Sequence, residues 1–271
     1  MSSFKIDLKR ALVSKGFIFS VLIGLVVIFF SMAIEPIRNA IILNYSNAPD
    51  LTPASKSILI GNCLNEVTLW DFGNHFFFLI IPIICCIPFA NKHFIDKRSG
   101  FNKFQIIRTS YRKYILSKIL TTFISGFLCI FTISNILLLI IVTVNSGNSF
   151  RSLFFNNTFL STLSKDNFIL FVFVYNIICS FMGGVYAVFG LCISTFVDNI
   201  IIQLAAPFLL YYVGSYVVSI IASQLFAPII VTTFYATPGA RYYHIFPQLI
   251  LLLMLSSIVF YKRTYGGQVY E

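Results

Sequence analysis

Asp96, Lys97 and Arg98, followed at once by Ser99 and Gly100, place a carboxylate, two cations and a backbone hinge within five residues. Such a group suits recognition rather than bond breaking. Opposite charges orient a contact, and a glycine lets the chain turn where other residues resist. Phe94 stands before the group, with Phe101 and Phe104 after it, aromatics for which a solvated linker would have no use. The surrounding stretch, residues 91–118, also carries Lys92, Lys103, Arg108, Arg112, Lys113 and Lys118, yet keeps Ile106 and Ile107. Basic residues alternating with bulky apolar ones point to a short helix at a membrane surface, one face of which can press into another protein. The plainer alternative is a positive loop held against lipid headgroups, and both stay open on these residues.

Other reactive residue types do not gather. No Gly-x-x-x-x-Gly-Lys-Ser/Thr run occurs, so the chain is expected to hold no nucleotide and to bind no cofactor of its own. His75, His93 and His244 fall at the ends of different apolar runs, and five of the six cysteines lie inside such runs as small apolar side chains. An intramembrane enzyme would need a carboxylate pair, a Ser with His, or HExxH at one depth, and none is visible. Asn135, Asn176, Gln203, Tyr211, Tyr212 and Tyr216, with Tyr175 and Tyr186, are among the polar residues of the apolar runs. They could line a substrate route, bond one helix to another, or anchor the chain at an interface.

The elements that must position these residues are membrane spans. Hydrophobic residues make up 58% of the chain and charged ones 10%, with a mean hydropathy of +0.89, far from the balance of soluble domains. The expected architecture is all-α and integral to the membrane. An amphipathic interfacial helix over residues 1–16 leads into six spans, near 17–34, 75–90, 119–144, 167–193, 200–222 and 244–260. The first run is long for a signal sequence and reads as a retained span. Residues 35–74 read as a polar loop, partly helical near 59–69, and 145–166 as a second outer loop. Residues 223–243, too apolar for a loop and broken by Pro228, Pro238 and Gly239, read as a re-entrant or interfacial hairpin. The whole, 1–271, is one transmembrane domain.

Charge sets the orientation. With both termini inside, fourteen of the nineteen Lys and Arg face the cytoplasm, as the positive-inside rule requires. Anionic lipid is then the counter-ion for a net charge of +10, and nucleic acid is not expected as a partner.

The run Phe94-Ile95-Asp96-Lys97-Arg98-Ser99-Gly100, then Ile106-Ile107-Arg108-Thr109-Ser110 and Tyr114-Ile115-Leu116-Ser117-Lys118-Ile119-Leu120, resembles the membrane subunits of ABC-2 type ABC transporters. Asp96 stands where that family more often has Glu. The resemblance implies a permease subunit of an ATP-driven exporter in a plasma membrane, bacterial, with residues 92–107 holding the coupling helix, Phe94, Phe101 and Phe104 as its anchors, Asp96, Lys97 and Arg98 orienting the contact, and Gly100 allowing the sharp turn. It further implies a separate ABC ATPase subunit that binds ATP and Mg, and a second transmembrane subunit, identical or related. Peptides, drugs, lipid-linked glycans and ions are all cargo for such a family. The 31 Phe and 14 Tyr lean towards amphipathic peptides or hydrophobic toxins. A non-transporting membrane anchor or sensor, recruiting a cytoplasmic partner through the same basic loop, is the competing reading.

Overall fold

The computed structural model describes residues 3–46, 51–90, 92–144 and 158–266. Among the described residues all regular structure is helical, and six helices are long and apolar enough to cross a membrane. The short α1 (Ser3–Leu12) comes first, and Ser14 then caps the next helix by accepting from the Phe17 amide at 3.0 Å.

The first span runs further than its apolar composition predicts. It comprises α2 (Lys15–Met32), a π-helical turn (Ala33–Ile37) and α3 (Arg38–Tyr45) without interruption, 31 residues in all. Pro36 was expected to begin a loop. The wider π turn accommodates its ring and missing N–H, so the helix continues. At about 1.5 Å per residue the column is about 46 Å long, well beyond a hydrocarbon core of about 30 Å. Its last turns pack against α4 (Pro53–Cys63) as a helical hairpin. The second span, α5 (Glu66–Ile84), likewise starts nine residues before the sequence-predicted His75, capped by Asn65, whose side chain accepts from the Thr68 amide at 2.7 Å.

The basic segment is two short helices, α6 (Lys92–Arg98) and α7 (Phe101–Arg108), separated by Ser99 and Gly100. Gly100 has φ +70°, the left-handed region that glycine enters without strain. The third span, α8 (Tyr111–Val144), begins eight residues earlier than expected. The predicted outer loop 145–166 is described only from residue 158, and α9 (Ser161–Asp166) leads from it into α10 (Phe168–Ile193).

Helix α10 is the axis of the bundle and the most buried span. Its approach to α8 is set by small residues: a Cβ on Gly126 would lie 2.6 Å from the Ala187 Cβ, and one on Gly184 2.8 Å from the Phe123 ring. The small-residue pairs read from Ser180, Gly183, Gly184 and Ala187 thus have a counterpart on α8.

The chain then forms α11 (Ile200–Ile221), a 3-10 turn (Gln224–Phe226), the single-turn α12 (Ile230–Thr233) and α13 (Tyr242–Gly266). The broken segment 223–243 folds back onto the bundle, burying Ala227, Ile230, Val231, Phe234 and Tyr235. Its backbone is satisfied there: Ser215 Oγ accepts from the Ile229 amide at 2.9 Å, and the Thr232 carbonyl accepts from the Tyr175 hydroxyl at 2.6 Å. Tyr235 donates to Asp71 Oδ1 at 2.6 Å and stacks edge-on against Trp70, whose ring also meets Phe168, Phe171 and Tyr175. This aromatic knot closes the end of the bundle away from α6 and α7.

Candidate functional site

Two carboxylates and two cations from three helices, α1, α6 and α8, meet at the basic end of the bundle. Lys118, seven residues into α8, donates from Nζ to Asp96 Oδ2 at 2.7 Å and to Asp7 Oδ1 at 3.3 Å. Arg10 of α1 donates to Asp96 through both terminal nitrogens, at 2.8 and 3.4 Å, and lies 3.7 Å from Asp7. Asp7 Oδ2 accepts further from Gln105 Nε2 at 3.0 Å and from Ser117 Oγ at 2.8 Å. The Asp7 and Lys118 side chains have no exposed surface and that of Asp96 has 2%.

Sequence and helical geometry explain the convergence. On α1, Asp7 lies three residues after Phe4 and four before Ala11, so it shares the inward face with them, and Lys5 and Lys9 point out to solvent. On α8, the first two turns bring Tyr114, Ser117 and Lys118 to one side. On α7, Gln105 is the inward residue. Charges so removed from water persist only when paired and hydrogen-bonded, and two acids against two bases leave the cluster neutral. Burial raises the Asp96 carboxyl pKa, but the Arg10 hydrogen bond and the Lys118 charge outweigh it and hold the group below its ordinary 3.8.

A ring of aromatic contacts surrounds the ions. The Arg10 guanidinium sits over the Phe101 ring at 4.5 Å, and Lys118 faces Phe89 at 5.2 Å and Tyr114 at 5.6 Å. Tyr114 donates to Asn102 Oδ1 at 2.8 Å and meets His93 Nδ1 at 3.3 Å. The far end of the chain is drawn in too. Phe260 stacks edge-on against His93, the Tyr111 hydroxyl donates to the Thr264 carbonyl, and Arg263 lies 4.6 Å over Phe196. Helices α1 and α13 therefore end on the same side of the bundle.

The residues expected to contact a partner divide. Asp96 and Phe94, expected at the partner contact, are buried within this chain: both Asp96 oxygens are engaged by Arg10 and Lys118, and Phe94 is 7% exposed. Arg98 is exposed, with its guanidinium 5.5 Å over Phe94, and Ser99 donates to the Asp96 carbonyl. Phe101 and Phe104 are open, at 38% and 66%. Gly100 makes the turn anticipated for it; Lys97 lies on α6.

The six polar span residues do not face one space within the chain. Asn135 bonds its own helix through Phe131 O at 2.8 Å, while Asn176 ties α10 to α8 by donating to Ser134 O at 3.2 Å. Tyr211 is buried against Thr232, and Gln203 is buried as well. Tyr212 is half-buried edge-on to Tyr211, whereas Tyr216 is 71% exposed.

Asp7, Arg10, Gln105, Ser117 and Lys118 were not singled out as one site. A usable signal was present in Asp7, a carboxylate on the apolar face of an amphipathic helix, which demands a buried cation. The fold and this site define the class: a multi-pass helical membrane protein with an internally neutralised charge cluster at its basic end. Comparison of the chain with protein-family models, curated proteins and solved structures returned no match.

Proposed function

We propose that this chain is the membrane-spanning subunit of an ATP-driven exporter of the ABC-2 type, coupled at its basic end to a separate ATPase subunit and paired with a second membrane subunit. The observation that carries this reading is the cluster of Asp7, Arg10, Asp96 and Lys118. It fastens α6 to α1 and to the head of the third span, and Gln105 ties α7 to Asp7, so a push on α6 and α7 is delivered to a transmembrane helix rather than lost in a flexible loop. Packed elements joined by buried ion pairs move as bodies. The role of the chain is mechanical: ATP is bound and hydrolysed by the partner, and the cargo class that the aromatic composition favours is an amphipathic peptide or hydrophobic toxin.

Purification in mild detergent tests the proposal. Co-elution with an ATPase whose hydrolysis depends on this chain supports it, while a chain that stays alone and alters no ATPase contradicts it. A second reading, a non-transporting anchor or sensor, draws on the α3–α4 hairpin, which presents Ile41, Ile42, Tyr45 and Ile58 at the opposite end. It predicts a bound partner without nucleotide hydrolysis.

A further inference from the structure

We infer that the docking contact is made by α7 alone, through a ridge of Phe101, Phe104 and Ile107, and that it fits an apolar groove rimmed by acidic side chains on the partner. This rests on the coupling reading above and narrows what the family resemblance implies, a contact over residues 92–107 anchored by Phe94, Phe101 and Phe104 and oriented by the Asp96-Lys97-Arg98 motif. In this fold that motif's acid is spent internally on Arg10 and Lys118.

Three observations support the assignment. First, α7 is oriented by its own chain. Gln105 is anchored to Asp7, and Ile106 packs beside the small buried cluster of Tyr114, Ile115 and Phe260, which turns the other half of the helix outward. Second, that outward half is apolar where a solvated helix would be polar: Phe104 is 66% and Ile107 81% exposed. Phe101, held under the Arg10 guanidinium, forms the inner end of the ridge. At 100° per residue the three positions span one side of the helix, a compact knob of the type that anchors interfaces.

Third, the charge is one-sided. Residues 91–118 contain eight basic residues and one acid, and that acid is buried, so no carboxylate of the segment faces outward. A complementary surface must be acidic around an apolar centre. A protein groove offers both together and holds them in register with a short rigid helix.

Photo-crosslinking side chains placed one at a time at Ile95 on α6, at Phe104 and Ile107 on α7, and at Leu116 on α8, in cells making the intact protein, test this. Adducts from 104 and 107 on an Asp- and Glu-rich peptide of an ATPase, with none from 95 or 116, are the expected result. F104A and I107A should each weaken co-purification of that ATPase by about tenfold or more. ATPase adducts from 95 but not from 104 or 107 overturn the α7 assignment and leave the exporter reading intact. Adducts from 104 and 107 on a protein without a nucleotide site keep the ridge and sink the exporter reading. Adducts with lipid alone at all four positions overturn the ridge as a protein contact.

Discussion

Lys118 and Asp96, separated by 22 residues, stand 2.7 Å apart with the ammonium fully buried and the carboxylate nearly so. Their pairing joins the start of a membrane-crossing helix to a short helix that carries the family-like motif. Neither side chain has water to fall back on, so each depends on the other and on Asp7 and Arg10.

Substituting one member therefore costs more than its hydrogen bonds. K118M leaves two carboxylates with Arg10 as their sole cation, and removing one partner of a buried pair costs about 3–5 kcal/mol. Thermal unfolding in detergent should show K118M and D96N strongly destabilised, and the K118M/D96L double variant closer to the natural protein than either. Equal or additive losses would show that the pair acts independently.

The depressed Asp96 carboxyl makes stability pH-dependent in one direction. A group whose folded pKa lies below its unfolded one stabilises the fold at pH values above the unfolded pKa, and loses that contribution as pH falls through the folded pKa. The cations facing it are Arg10 and Lys118. The stability gap between the natural protein and D96N should hold constant above about pH 5 and narrow below the ordinary value of 3.8. A gap that widens on acidification would contradict the assignment of cause.

Close packing of α8 on α10 predicts a sharp contrast between glycines. A side chain at Gly126 meets the Gly183 carbonyl at 2.9 Å and the Ala187 Cβ at 2.6 Å, neither of which can swing aside. G126V should cost at least about 1–3 kcal/mol through overpacking. Gly214, on α11, has its nearest neighbours at 3.8 Å, so G214A should be tolerated and stabilise by about 0.5–1 kcal/mol through backbone entropy. Detergent melting curves of the two variants decide this.

At the opposite end, Y235F removes the hydroxyl that Asp71 accepts while keeping the ring against Trp70. A hydrogen bond to a charged group is worth about 1.5–3 kcal/mol, so a loss of that size is expected, whereas Y212F should have little effect. Comparable losses from both would show that the aromatic knot does not depend on this bond.

Six spans were legible because lipid-facing and buried residues are alike apolar, and long uncharged runs declare themselves. Their ends were less legible for particular reasons. Pro36 reads as a breaker, yet a π turn absorbs it, and Asp71 and Asn74 read as loop although they sit on a helix whose Trp70 face is buried. The internal partners of Asp96 were not legible because they lie 86 and 22 residues away. Local sequence fixes the charge of a side chain but not which way its helix is turned.

On the proposed coupling, α1, α6, α7 and the head of α8 travel as one body when an ATPase acts on them. Spin labels at exposed Lys9 and Ser110 report the distance between α1 and the α7–α8 junction, and labels at Ser110 and Ser57 report that junction against the opposite end. In membranes with the partner ATPase, ATP binding should leave the first distance unchanged and shift the second. A first distance that changes while the second stays fixed would contradict the account.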